Sequence, residues 1–179
     1  ADSINSSHTN RFLDGVVLAP SLVASSEIKD VVTGAEFVVL VAPSHVTRAV
    51  AEAAQPYLMR DAVVVVASKG IEQHTLARMS QVAADVFDRD DVVAISGPTF
   101  AAEVARGQPT AIVAACADLA AAERVQQLFH GPSFRVYTQP DVIGVELGGA
   151  VKNVMAMATG IAEGIEIGYR ARDALITRG

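Results

Sequence analysis

Four uninterrupted apolar runs, at positions 37–42, 63–67, 92–95 and 111–115, stand out along the chain, and they are rich in Val and Ile. None alternates apolar with polar residues, so each reads as a strand buried on both faces, as in a parallel sheet covered by helices. Helical spacing of apolar residues fills the intervals, at 45–58, 75–87, 99–106 and 118–129. The alternation predicts an α/β fold built on a doubly wound parallel sheet with right-handed crossovers. Upstream, 16–18 and 22–24 read as short strands, and Ser25 or Ser26 is placed to cap a short helix over 27–33. Near Asp141 the pattern changes to purely helical. A long apolar helix over 142–161 is followed by a glycine-containing break at 164–168 and another helix from 171. Two segments result, an α/β part at 1–140 and the first helices of an all-helical part at 141–179.

Composition narrows the class. Of 179 residues, 51% are hydrophobic and 19% charged, which is ordinary for a folded domain. A net charge of −6 and a pI near 5.1 argue against general affinity for nucleic acid or anionic membranes, so an anionic ligand needs local cations. The single cysteine, Cys116, lies in an apolar stretch and reads as a small buried hydrophobe, compatible with a reducing, cytoplasmic setting. His8, His45, His74 and His130 are scattered and do not pair with carboxylates at metal-ligand spacing, and no metal site is expected. The polar opening residues carry no secretory pattern.

Against this background Lys152 is conspicuous, because it interrupts the apolar 142–161 helix in the segment Glu146-Leu147-Gly148-Gly149-Ala150-Val151-Lys152-Asn153. Gly148 lies one turn before it, which clears a face where a ligand or helix can approach. Burial there would lower the lysine pKa toward neutrality, as proton transfer at physiological pH requires. The plainer alternative is a lysine that snorkels to water while the glycines let helices pack. Glu146, Lys152 and Asn153, with no positive flank or aromatic belt, argue against a membrane span.

Ligands of open parallel sheets bind beyond the carboxyl ends of the strands. Three loops there carry chemistry: Pro43-Ser44-His45, Ser68-Lys69-Gly70 and Ser96-Gly97-Pro98-Thr99. Parallel strands would bring them to one edge. Gly97 allows close backbone approach, Pro98 suits the first turn of a helix, and the amides around 99–102 form a natural anion site with Lys69 as the matching charge. Plain turns and a plain helix start explain each loop separately. The glycine-rich phosphate fingerprint Gly-x-Gly-x-x-Gly is absent, so either no dinucleotide binds or the chain begins after the first strand and helix of such a domain.

Four ordered segments carry a resemblance: 64–70, 96–103, 146–153 and 174–179, supported by 10–15 and 34–36. Together they closely resemble the bacterial NAD(P)-dependent sn-glycerol-3-phosphate dehydrogenases. The resemblance implies an incomplete Rossmann domain at 1–140, the start of a helical substrate domain at 141–179, and NAD or NADP as cofactor. Lys152 matches the proton-transferring lysine, which protonates the C2 oxygen of dihydroxyacetone phosphate as hydride arrives and acts as base in reverse. Lys69 matches a lysine touching both cofactor and substrate. Gly97, Thr99 and Asn153 match substrate positions, and Ala101, Pro43 and Ser44 cofactor positions. The implied partner is a small phosphorylated three-carbon substrate, supplying glycerol 3-phosphate for phospholipid synthesis, and a homodimer is compatible.

Departures are instructive. The glycine fingerprint and the later phosphate-binding helices of the family lie outside these residues, so the chain is expected to be an internal fragment with little activity alone, a less stable and more association-prone unit with an open sheet edge. Arg170 stands where the family usually shows asparagine, and Val41-Ala42-Pro43 permutes the common Ala-Val-Pro. Arg170, Arg172 and Arg178 could hold a phosphate, but a solvated cationic helix end is the favoured reading. Hydroxyacid and 6-phosphogluconate dehydrogenases are the nearest alternative, but they tend to place an asparagine one turn after the lysine, where this chain has Ala156. A non-catalytic nucleotide-binding or dimerisation module is the other, since Gly144, Gly148, Gly160, Gly164 and Gly168 recur at spacings compatible with tight helix packing.

Overall fold

A computed structural model describes residues 1–178; Gly179 and the side chain of Arg178 lie outside the described residues. Its sheet has five strands in the order β1-β2-β3-β4-β5: β1 Phe37–Leu40, β2 Val63–Val66, β3 Val93–Ser96, β4 Thr110–Ala115 and β5 Phe134–Gln139. The helices are α1 Asp2–Ser7, α2 Ile28–Val32, α3 Ser44–Ala54, α4 Met79–Phe87, α5 Ala101–Ala105, α6 Leu119–Phe129, α7 Val142–Gly164 and α8 Tyr169–Arg178.

The four-valine strand β2 shows why the fold forms. Side chains alternate across a strand, so Val63 and Val65 enter one core with Val93, Ile112, Val125 and Val136, beneath α6. Val64 and Val66 enter the other with Leu40, Ala51, Met79 and Val82, beneath α3 and α4. With helices on both faces, the sheet is doubly wound and Rossmann-like, as the apolar runs predict. Each fully buried valine contributes about 1.5–3 kcal/mol of apolar burial.

Three features differ from the sequence reading. The sheet is mixed: β1, β2 and β3 are parallel, but β4 runs antiparallel to β3, and β5 is parallel to β4. β5 escaped prediction because Arg135 and Tyr137 face solvent on an edge strand, giving alternation instead of an apolar run. The segments at 16–18 and 22–24 are not strands. Val17, Leu22 and Val23 are exposed, and the chain is instead held by a Leu18 N–H donated to the His8 carbonyl (2.7 Å) and by two Asn5 side-chain bonds to the backbone of Ala24 (2.8 Å each).

Helix boundaries also move. Helix α4 starts at Met79 because residues before it form a loop, closed by an Ile71–Arg78 bridge and by Thr75 Oγ1 accepting from the Ala77 amide. Ser25 stands two residues outside α2's N-cap, accepting from the Glu27 amide (3.0 Å) and donating to Asp30 Oδ2 (3.0 Å). Asp141 is the N-cap of α7, its Oδ1 accepting from the Gly144 amide at 2.8 Å. Helix α7 then packs on β3 and β4. Helix α8 begins at Tyr169, two residues before the expected start. Among the described residues, no helix is long and apolar enough to cross a membrane.

Candidate functional site

Because β1, β2 and β3 are parallel, the loops that follow them meet at one edge. Thr47, fully buried in the first turn of α3, donates to the Ala42 or Pro43 carbonyl (3.2 and 3.1 Å), and Ser68 Oγ donates to the Leu40 carbonyl (3.3 Å). These bonds fix the β1 and β2 loops side by side. Gly70, at φ +128°, sits against Ser44, whose side chain would lie 3.0 Å from an added Cβ. Any side chain there meets both backbone strain and a crowded cradle.

Lys69 leaves the end of β2 and donates to the Gly97 carbonyl at 3.0 Å. Gly97 itself is demanded by packing: a Cβ would stand 2.7 Å from the Ala111 carbonyl oxygen and 2.8 Å from Ile112 Cγ2. The close approach inferred for Gly97 is therefore to β4, and the glycine's carbonyl is what faces the site. Across the cavity lies α7. A Cβ at Gly149 would meet Ser96 Oγ at 2.7 Å and Lys69 Cγ at 3.8 Å, whereas one at Gly148 would enter open space. Gly149 thus brings the helix down onto the sheet, and Gly148 leaves room.

The result is an open cavity of about 330 Å³ lined by Lys69, Ser96, Gly97, Gly148, Gly149 and Lys152. An adjoining cavity of about 440 Å³ shares Lys69, Ser96 and Gly97 and adds Thr99, Ala101, Ile112 and Phe134. The two lysines converge, as the sequence suggests, but their environments are the reverse of the expectation. Lys152 is exposed, because α7 buries Val145 and Glu146 while Val151 and Val154 beside the lysine face outward. Lys69 is the half-buried one. Desolvation, and next the charge of Lys152, hold its pKa below the ordinary lysine value.

Other expected positions divide. Thr99 and Ala101 line the adjoining cavity. Ser44 lies against Gly70, next to Lys69, and Pro43 is the N-cap of α3; neither is among the residues lining the two cavities. Asn153 is exposed on α7 and lines neither cavity. The anion site expected at 99–102 lacks a substantial helix: α5 has five residues and starts at Ala101 after N-cap Phe100, and the Thr99 amide is spent on the Gly97 carbonyl (3.0 Å). Pro98 accordingly lies before the helix instead of in its first turn. Arg172 is engaged away from the lysines, over the Tyr169 ring and 3.5 Å from Glu163, and Arg170 is exposed. Among the described residues, Gly148, Gly160 and Gly164 have open space where a Cβ would go.

Sequence reading missed Glu146, which is buried and receives Arg78 and Ser80. An acid inside an apolar helix calls for a partner, and that signal was available. Cys116 is buried and free, as expected, with its thiol pKa pushed up mainly by burial.

A doubly wound sheet with a long helix laid over the loops that end its strands places the chain among Rossmann-type domains continued by a helical segment. The chain belongs to the NAD-dependent glycerol-3-phosphate dehydrogenase family: the N-terminal family model matches residues 1–122 and the C-terminal one residues 141–179. It is 50% identical over 171 residues to the glycerol-3-phosphate dehydrogenase of Geobacter sulfurreducens, covering 94% of this chain and 51% of that protein. It is 46% identical over 180 residues to that of Rhodospirillum rubrum, covering 100% of this chain and 52% of the relative. The chain spans about half the length of the curated relatives it matches. The crystal structure of the Coxiella burnetii glycerol-3-phosphate dehydrogenase superposes with a TM-score of 0.87 at 33% identity, over 99% of this chain and 55% of that one. The Plasmodium falciparum enzyme shares the fold, with a TM-score of 0.89 at 24% identity over 97% of this chain and 49% of its own.

Proposed function

We propose that the protein carrying this segment interconverts sn-glycerol 3-phosphate and dihydroxyacetone phosphate with NAD or NADP, and that Lys152 is its proton donor and acceptor. The observation that carries the reading is the convergence of Lys69 and Lys152 on one cavity at the ends of parallel strands. Residues 1–140 form the cofactor-binding part in this reading, and residues 141–179 begin the helical part that completes the substrate site.

The residues present suit a dinucleotide at this edge: Ser44 lies close against the glycine backbone of Gly70 beside Lys69, Pro43 precedes it as the cap of α3, and Ala101 borders the adjoining cavity. Bound there, the nicotinamide supplies the hydride. The chain's own residues hold the substrate and move the proton. Lys69 spends one N–H on the Gly97 carbonyl, which aims the ammonium and leaves two donors for a ligand. Two cations on one cavity favour an anionic substrate such as a phosphate ester. Lys152 as ammonium donates to the C2 oxygen of the ketone and, as free amine, recovers the proton from the alcohol in reverse. Gly97 and Thr99 shape the wall opposite; Asn153, adjacent to the lysine in sequence but outside both cavities, has no role in this reading.

A cytoplasmic setting, a homodimeric assembly and the supply of glycerol 3-phosphate for phospholipids complete the proposal; the free, buried Cys116 supports the first. The test is dihydroxyacetone phosphate-dependent oxidation of NADH and of NADPH by the full-length protein. Turnover with either cofactor supports the proposal and assigns the preference; a folded full-length protein inert with both refutes it.

A further inference from the structure

Helix α7 carries one buried charge among its described residues, Glu146, and its partners come from a different part of the fold. One carboxylate oxygen accepts the backbone amide of Ser80 (2.8 Å), and the other accepts Ser80 Oγ (2.5 Å) and Arg78 Nη1 (2.6 Å). Arg78 is the N-cap of α4 and Ser80 lies in that helix's first turn. Glu146 therefore caps α4 from outside, satisfying a first-turn amide that the helix cannot satisfy itself and placing negative charge at its positive end. Arg78 Nη1 also reaches Ser80 Oγ (3.0 Å), and the Arg78 amide donates to Gln81 Oε1 (3.0 Å), so the anchoring residues are themselves held.

The register along α7 gives the clamp its consequence. Gly149 follows Glu146 by three residues and Lys152 follows Gly149 by three, so each step turns about 60° round the helix, from the buried side at Glu146 to the cavity-facing side at Lys152. Glu146 is fastened to α4, Gly149 rests on Ser96 and Lys69, and Lys152 reaches the cavity. Two fixed points on a stiff helix determine the third.

We propose that the Arg78–Ser80–Glu146 clamp is a positioning device that sets the rotation and depth of α7 and so holds Lys152 over the cavity it shares with Lys69. The inference rests on the reading of Lys152 as the proton-transferring group. Glu146 touches no reactant; it acts through the helix. Gln at this position keeps the shape but removes the charge that Arg78 pairs with, freeing α7 to tilt.

The experiment uses the full-length protein with Glu146→Gln, Ser80→Ala and Lys152→Ala. Two readouts are taken on each folded variant: kcat and KM for dihydroxyacetone phosphate, and the pH midpoint for acylation of Lys69 by a small amine-reactive ester, followed by peptide mass spectrometry. Loss of Lys152 raises the Lys69 midpoint toward that of an ordinary lysine. The clamp predicts that Glu146→Gln raises it too, with both lysines in place, and lowers kcat on the order of tenfold to a hundredfold, the scale of a 1 Å misplacement. Ser80→Ala, which keeps the Arg78 pair and the backbone donor, gives a smaller change in the same direction and decides the matter if Glu146→Gln does not fold. An unchanged Lys69 midpoint and unchanged kcat, with only a lower unfolding temperature, overturn the proposal and leave the clamp a purely structural bond. If Lys152→Ala keeps full turnover while Glu146→Gln still shifts the Lys69 midpoint, the clamp stands and the catalytic reading of Lys152 falls.

Discussion

Replacing Gly97 by alanine puts the packing of the site under direct load. The added Cβ would stand 2.7 Å from the Ala111 carbonyl oxygen, 2.8 Å from Ile112 Cγ2 and 3.0 Å from Ile112 Cα. Two of these three atoms belong to the backbone of β4, which is bonded to β3 on one side and β5 on the other and cannot step aside. The expected cost is about 3 kcal/mol, the upper end for overpacking a filled interior. For a chain of this size that lowers the unfolding midpoint by roughly 6–12 °C. Gly148→Ala is the control: its Cβ enters open space, and alanine in a helix interior is favoured over glycine by about 1 kcal/mol, so the midpoint rises by roughly 2–4 °C. Thermal unfolding followed by circular dichroism on both variants checks the pair. A Gly97→Ala protein as stable as its parent refutes the β4 contact and with it the placement of the carbonyl that holds Lys69.

Three further outcomes follow from named contacts. Glu72 accepts Arg48 (2.9 Å) and Thr75, and the Arg48 guanidinium, then the Thr75 hydroxyl, depress its pKa from 4.5 to about 2. A carboxylate depressed by folding stabilises above its unfolded pKa and loses that contribution as pH falls through about 2. Denaturant titrations across that acid window should show Arg48→Met flattening the pH dependence, and an unchanged slope contradicts the pairing. For Lys69 the sign reverses: its folded pKa lies below the ordinary lysine value, so the unfolded chain binds more protons between the two and stability rises with pH through that alkaline window. Lys69→Met should abolish the rise in urea unfolding at successive alkaline pH values; persistence of the rise assigns it elsewhere. Val65→Ala, at a fully buried position in β2, should cost about 2–3 kcal/mol by loss of transfer energy and a residual cavity. A urea midpoint within error of the parent argues against the two-faced core.

The strands were most legible where both faces are buried, because Val63–Val66 can then be apolar at every position. They were least legible at Phe134–Gln139, an edge strand whose outward residues are Arg135 and Tyr137. The antiparallel turn of β4 left no local mark, since pairing direction is decided by partners distant in sequence. At the site, the loops carrying Ser44, Lys69 and Gly97 were placed at one edge by the parallel strands β1 to β3, whereas Lys152, on α7, was brought there only by the resemblance. Which lysine is buried was not readable, because burial depends on how α7 lies, and that is set by Glu146 reaching Ser80 and Arg78, 66 and 68 residues earlier in the chain. Likewise Gly148 and Gly149 are indistinguishable by type, and only the sheet beneath decides that Gly149 touches Ser96.

The central claim, that Lys152 moves the proton, is tested most directly by chemical rescue. In the full-length protein, Lys152→Ala should lower kcat for dihydroxyacetone phosphate reduction by about a hundredfold or more. Because Lys152 borders an open cavity, added methylamine should restore part of the loss in proportion to its protonated fraction, with KM for the cofactor unaltered. Full activity of the alanine variant contradicts the account.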